Sequence, residues 1–200
     1  MSELAGRLAT IKVSGTAVTL TAEATSTTDN QIYQITDAAK RVLDRDTTPT
    51  VLDDGVETLE SYTVNKLNGI ITFESVDALR GTITVTGKYL PMSTVAYAHN
   101  FSYNRGVNIM DITPFLATHY KRLAGTKFAS GTLSQFDLSS TYFADTLVAG
   151  KPVVIEFGDT ATSEPIRCWA LLENAEMTAA IDNPQDEIVS FISTDELLDL

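Results

Sequence analysis

The sequence predicts a mainly β protein, a sandwich or open barrel with one helix packed on it. Three observations lead there. Apolar and hydroxyl side chains alternate with a period of two through much of the chain, as in strands with one buried face. An Asn-Gly pair, Asn68-Gly69, stands between two such stretches as a hairpin signal. Only residues 139–149 combine helical spacing with signals for a start and a stop.

Taken in order, residues 17–22 alternate apolar and hydroxyl side chains, and residues 31–35 are a short β-prone run before a helical turn at Asp37 to Arg41. Residues 62–67 and 70–73 flank the Asn-Gly pair, which should form a two-residue type I′ turn with positive φ at both positions. Residues 82–89 form the next strand, and Pro91, lacking a backbone donor, ends the first unit. This divides the chain into a β-rich N-terminal region, 1–93, and a second unit, 94–200. The N-terminal region is either a separate module or part of the same sheets.

The second unit opens on the longest alternation. Val95, Tyr97, His99, Phe101 and Tyr103 share one face, and Ala96, Ala98, Asn100, Ser102 and Asn104 the other. Gly106, Pro114 and Gly125 break residues 105–126, which read as a long loop with a short strand at Val107 to Ile109. Residues 127–138 are extended again. The helix follows, with a serine to cap it, Phe143 and Leu147 one turn apart, and Gly150 to end it. Residues 151–157, 166–172, 175–181 and 187–193 supply the remaining strands. No period of 20–50 residues recurs, which excludes a solenoid.

Composition narrows the function. A hydrophobic content of 44% and mean hydropathy of +0.02 can build a core. The longest apolar runs are too short to span a bilayer, so no membrane insertion is expected. One cysteine, Cys168, excludes an internal disulfide framework, and without signal-peptide features the expected site of synthesis is a reducing cytoplasm. The net charge of −12 excludes a conventional nucleic-acid binder but suits a wall that nucleic acid passes without sticking. Residues 1–90 carry 12 acidic and 8 basic side chains, and residues 91–200 carry 14 and 6. A repulsive wall is therefore expected in the second half.

Catalytic constellations are missing from the sequence. His99 sits on an aromatic strand face and His119 beside Tyr120, with no spacing that suggests a metal site. Cys168 alternates with Ile166, Ala170 and Leu172 on an apolar face, which predicts a buried, inert thiol. Asp44, Asp46, Asp53 and Asp54 lack calcium-loop spacing and read as solvated turns. No serine elbow or glycine-rich phosphate loop is present. Neither an enzymatic activity nor a cofactor or metal is expected.

From about residue 94 the chain resembles the siphophage major tail protein, or tail tube, family. The resemblance rests on residues 98–104 followed by Asp111-Ile112-Thr113-Pro114-Phe115, on residues 121–127 running into the small-residue strand 129–134, and on the helix ending at Gly150. The strand 153–157 and the last strands beginning at Ala170 complete it. It covers roughly the last 110 residues and leaves the first 90 outside.

The resemblance implies a tail-tube-like β-sandwich or partial barrel with a flanking helix, in a virion protein synthesised in the host bacterium. Six subunits would close into a ring, and stacked rings would form a conduit for double-stranded DNA, without specific binding. Other tail proteins (tape measure, terminator, distal tail) would be further partners. Arg105, Asp111, Phe115, Lys121, Arg122 and Lys127 are then candidates for contacts between subunits or rings. Asp137, Glu156 and Glu173 are candidates for an acidic lumen. A capsid decoration or head-to-tail connector protein is the nearest alternative, and a carbohydrate- or host-binding β module a more distant one.

Overall fold

The computed structural model describes residues 9–77, 80–95, 98–115, 118–136, 142–159, 165–180 and 183–197. Its strands are β1 (Ala9–Ser14), β2 (Val18–Thr27), β3 (Ile32–Ile35), β4 (Thr50–Asp53), β5 (Val56–Glu57), β6 (Tyr62–Asn65), β7 (Ile70–Phe73), β8 (Ile83–Tyr89), β9 (Met92–Thr94), β10 (Ala98–Asp111), β11 (Arg122–Phe136), β12 (Val153–Asp159), β13 (Ile166–Ala180) and β14 (Asn183–Leu197). One α-helix, α1 (Tyr142–Ala149), and a 3-10 turn at Ala38–Lys40 occur among the described residues. The fold is mainly β, as expected, with antiparallel pairing throughout the described ladders.

The chain forms two compact units. One is Ser14–Ser93; the other joins Met1–Val13 to Thr94–Leu200. The upper boundary lies between Ser93 and Thr94. The first strand, however, goes with the second unit: β1 pairs with β12, Ile11 opposite Phe157 and Val13 opposite Ile155. Residues 14–93 are thus inserted between β1 and the rest of its own sheet, a long-range pairing that period-two reading cannot register.

In the inserted unit the strand order is β5-β4-β8-β2-β3-β7-β6. β2 pairs first with β8 and then with β3, changing partner after a register shift between Leu20 and Glu23. Ala22 at that shift has φ 45°. A bulge of this kind bends the strand and increases its twist, so one strand serves two halves of a sheet. Leu20, Tyr33, Ile35, Val51, Ile71, Phe73, Ile83 and Val85 fill the core there. The Asn-Gly turn differs from expectation. β6 ends at Asn65, which pairs with Ile70, leaving a four-residue connection, Lys66 to Gly69. Leu67 is drawn into the interior instead of extending the strand, and the Asn65 side chain accepts bonds from the Leu67 and Asn68 amides. Only Gly69 takes positive φ, and a Cβ there would also stand 2.8 Å from the Arg41 carbonyl oxygen.

In the other unit the order is β10-β11-β14-β13-β12-β1-β9. Ile11, Val13, Leu133, Phe143, Ile155, Phe157, Cys168, Val189 and Phe191 make its core, with Phe143 contributed by α1. Gly150, φ 61°, ends the helix by donating its amide to the Thr146 and Leu147 carbonyls. The capping serine expected at 139–141 lies outside the described residues. The two strands expected at 166–172 and 175–181 are one, β13, with a register shift between Leu172 and Asn174.

Candidate assembly surface

Strand registers sort the sheet of β10, β11, β14 and β13 into two faces. Phe101, Leu133, Val189 and Ala175 lie opposite one another across β10, β11, β14 and β13, as do Tyr103, Gly131, Phe191 and Leu172. This face meets the core: Phe101 and Phe191 stack on Phe157 at 5.2 and 5.7 Å between centroids. The other face carries Asn100, Ser134, Ile188 and Glu176 on one rung and Ser102, Thr132, Ser190 and Asn174 on the next. Ser102 and Thr132 hydroxyls lie 2.9 Å apart across the strands.

Beyond that sheet the hairpin continues alone. β11 pairs with β14 only as far as Ser130 opposite Ile192, whereas β10 and β11 pair on to Asp111 opposite Arg122. Residues 105–128 therefore form a two-stranded arm with a connection of residues 112–121. This corrects the loop expected at 105–126. Gly106 and Gly125 do not break the strands. Gly106 lies opposite Phe128, whose ring fills the space a Cβ would need, so a glycine read as a breaker is a site of close cross-strand packing.

The arm leaves large apolar side chains in water. Phe115 is 101% exposed and Tyr120 79%, and Val107, Ile109, Met110, Ile112 and Leu123 are exposed with them. β10 is moreover the edge strand of its sheet, with one row of backbone groups offered to a neighbour. Exposed apolar side chains thus lie beside an uncovered strand edge.

Six of the predicted positions sit here. Asp111 and Arg122 face each other across the arm. Asp111 accepts the Thr113 amide at 2.9 Å and the Thr113 hydroxyl, and these bonds hold its carboxyl below the usual range. Thr113 in turn accepts the Lys121 amide at 2.9 Å, closing the base of the connection and leaving the Lys121 side chain exposed. The Arg122 guanidinium lies 5.8 Å from the Tyr120 ring centroid, and that of Arg105 5.7 Å from Tyr103. Lys127 is exposed opposite Val107, and Phe115 lies in the connection. Sequence reading passed over Ile109, Met110, Tyr120 and Leu123; a cluster of apolar residues lacking core periodicity was the available signal.

The acidic positions fare differently. Glu173 is exposed on β13, and Asp137 lies outside the described residues. Glu156 is corrected: only 3% exposed, it accepts bonds from Lys12 on β1 and Arg167 on β13, each at 2.7 Å. Burial alone would raise its pKa, but the two cations more than offset that and hold it below the ordinary value. A carboxylate neutralised in this way contributes no repulsion to a wall. It instead joins β1, from which the chain enters the inserted unit, to β12 and β13.

Cys168 is fully buried in the core, and burial pushes its thiol up to about 12, which removes nucleophilic character at neutral pH. The Asp44 cluster serves turns: Asp44 accepts the Thr47 hydroxyl at 2.6 Å, Asp53 the Gly81 amide and Asp54 the Thr82 amide. Among the described residues no three His, Cys, Asp or Glu side chains converge to hold a metal ion, and no helix is long and apolar enough to cross a membrane.

No protein-family model and no curated protein matches the chain. Solved structures similar to it include the following two. The tail of an empty gene transfer agent particle, with C6 symmetry, is 10% identical with a TM-score of 0.48, covering 54% of this chain and 84% of that one. The virion of a native gene transfer agent particle is likewise 10% identical, with a TM-score of 0.47, and covers 53% and 86%.

Proposed function

We propose that the chain is a non-catalytic virion protein that polymerises through its β10–β11 arm as stacked, hexameric rings, forming a phage tail tube. The single observation behind this reading is the arm. A two-stranded projection carrying Phe115, Tyr120, Ile109 and Met110 in water has no role in its own subunit's core, so its stability and its use both come from a partner. The edge position of β10 adds a backbone surface that ring closure would satisfy. The net charge of −12 and the uncharged rung Ser102-Thr132-Ser190 suit a conduit past which double-stranded DNA moves without being held. The sequence resemblance of residues 94–200 to tail tube proteins points the same way, and tape measure, terminator and distal tail proteins would be the other partners. Electron microscopy of the purified chain tests it. Stacked rings or tubes are expected; a chain that stays monomeric at all concentrations and never associates with tails would reject it.

A further inference from the structure

The inserted unit has two unlike ends. Its chain ends meet at one of them: the Gly15 amide donates to the Pro91 carbonyl at 2.8 Å, and Val18 stands opposite Tyr89 at the close of β8. The other end of β8 lies at Ile83, which stands opposite Asp53, and the Asp54 amide donates to the Thr82 carbonyl beside it. Residues 28–31, 53–61, 74–77 and 80–82 therefore gather away from the chain ends.

Arg80 clasps these segments. Its buried guanidinium donates to the Asn30 carbonyl at 2.6 Å, to the Ser75 carbonyl at 3.0 Å and to the Glu60 carboxylate, and it lies 3.9 Å from the Phe73 ring centroid. The segments are thus fixed to one another, yet their apolar side chains are not covered. Leu59 is fully exposed, and Ile32, Val56 and Val76 are exposed with it; among the described residues of this unit, Val18 is the only other large apolar side chain in water. Val56 and Leu59 line an open depression of about 490 Å³ together with Asp53, Asp54, Glu57 and Glu60.

Charge names the occupant. The clasped segments carry Asp29, Asp53, Asp54, Glu57, Glu60, Glu74 and Asp77 against Arg80 alone. The rest of residues 14–93 is balanced, with Lys40, Arg41, Arg45, Lys66 and Lys88 against Glu23, Asp37, Asp44 and Asp46. The amides of Ile32, Gly81 and Thr82 hold Asp29, Asp53 and Asp54 in place without neutralising them.

We propose that this end of the inserted unit is a docking surface for a second protein, one that presents a basic segment with lysine or arginine beside aliphatic side chains. Nucleic acid, anionic lipid and acidic glycan would be repelled by the carboxylates. A small polyamine would meet the charge but leave Leu59 and Val76 in water. A basic segment with apolar neighbours answers both, one cation entering the depression while its neighbours cover Val56 and Leu59. The surface is independent of the tube reading, and a chain that forms no tubes would still carry it.

The test selects short peptides from a random library displayed on yeast, using the full chain as bait, and measures their affinities by fluorescence anisotropy. Enriched peptides should combine Lys or Arg with Leu, Ile or Val. They should lose about tenfold in affinity on Glu57→Lys and on Leu59→Ser. Asp46→Lys, the same charge change at an exposed carboxylate outside the surface, should leave affinity within about twofold. Enriched peptides without cations, an equal loss on Asp46→Lys, or no saturable binder at all overturns the proposal. So does a chain that prefers phosphatidylglycerol vesicles or dextran to every peptide. Amide exchange on the wild-type chain needs no variant: the bound peptide must protect residues 56–61 and 74–76, and protection confined elsewhere overturns the assignment.

Discussion

The β10–β11 hairpin has two halves, and the contrast between them is instructive. Beside β14 its inward Tyr103 and Leu133 join the core, Phe101 stacks on Phe157, and its outward side chains are small and polar apart from Phe136 at the far end. Beyond β14 the same two strands keep their pairing but lose the covering sheet, and Ile109, Met110 and Leu123 stay in water. Strand pairing without burial, here with a register shift between Val107 and Ile109, costs conformational entropy and returns little hydrophobic free energy. On the proposed function, such a region is retained for what it meets and not for what it stabilises.

Removing the arm separates the two halves most sharply. Replacing residues 106–128 with Asn-Gly joins Arg105 directly to its cross-strand partner Ala129 through a tight turn. Polymer should vanish while the thermal midpoint of the subunit stays within the change caused by about 0.5 kcal/mol, the usual range for surface changes. A collapse of subunit stability on calorimetry would show that the arm belongs to the core.

The converse change is Glu156→Ala, which leaves Lys12 and Arg167 without their shared carboxylate and should cost roughly 3–5 kcal/mol in denaturant unfolding. Partial exposure of the Lys12 side chain argues for the lower end of that range. The ion pair also predicts a pH dependence. Because the folded carboxyl titrates below its unfolded value, its contribution is present above about pH 4.5 and disappears as pH falls through the lower folded value. The wild type should therefore lose stability more steeply on acidification than Glu156→Gln, and equal slopes would remove the assigned role.

A smaller effect compares glycines in the two halves. At Gly131 an added Cβ would collide with the Ser102 carbonyl oxygen and the buried Phe191 ring. Gly131→Ala should cost about 1–3 kcal/mol as an overpacked site. At Gly106 the nearest obstacles are all atoms of the half-buried Phe128 ring, with no backbone atom among them. Gly106→Ala should cost clearly less. Equal losses in the two unfolding curves would mean that the halves are packed alike.

How much of this was legible in the sequence depended on whether local pattern and tertiary setting agreed. Alternation at 98–104 and 187–193 reports one buried face, the apolar run at 153–157 is buried throughout, and those strands are where they were expected. Cys168 followed from the same rule. The arm did not, because Gly106 and Gly125 are breakers in isolation, and only the opposite strand shows that Phe128 fills the space at Gly106. Glu156 lies between apolar neighbours in the sequence, which is equally compatible with a lumen and with a buried ion pair. The deciding cation, Lys12, is 144 residues away. The turn at Gly69 was shifted by the burial of Leu67, again a tertiary demand overriding a local preference.

Amide hydrogen exchange, measured on the dispersed subunit and again on the polymer, tests most directly whether a second copy covers the arm. Residues 106–128 should exchange quickly in the subunit and become strongly protected in the polymer, while Leu133, Val189 and their neighbours stay protected in both. Arm amides that exchange equally fast in a polymer already formed would contradict the account.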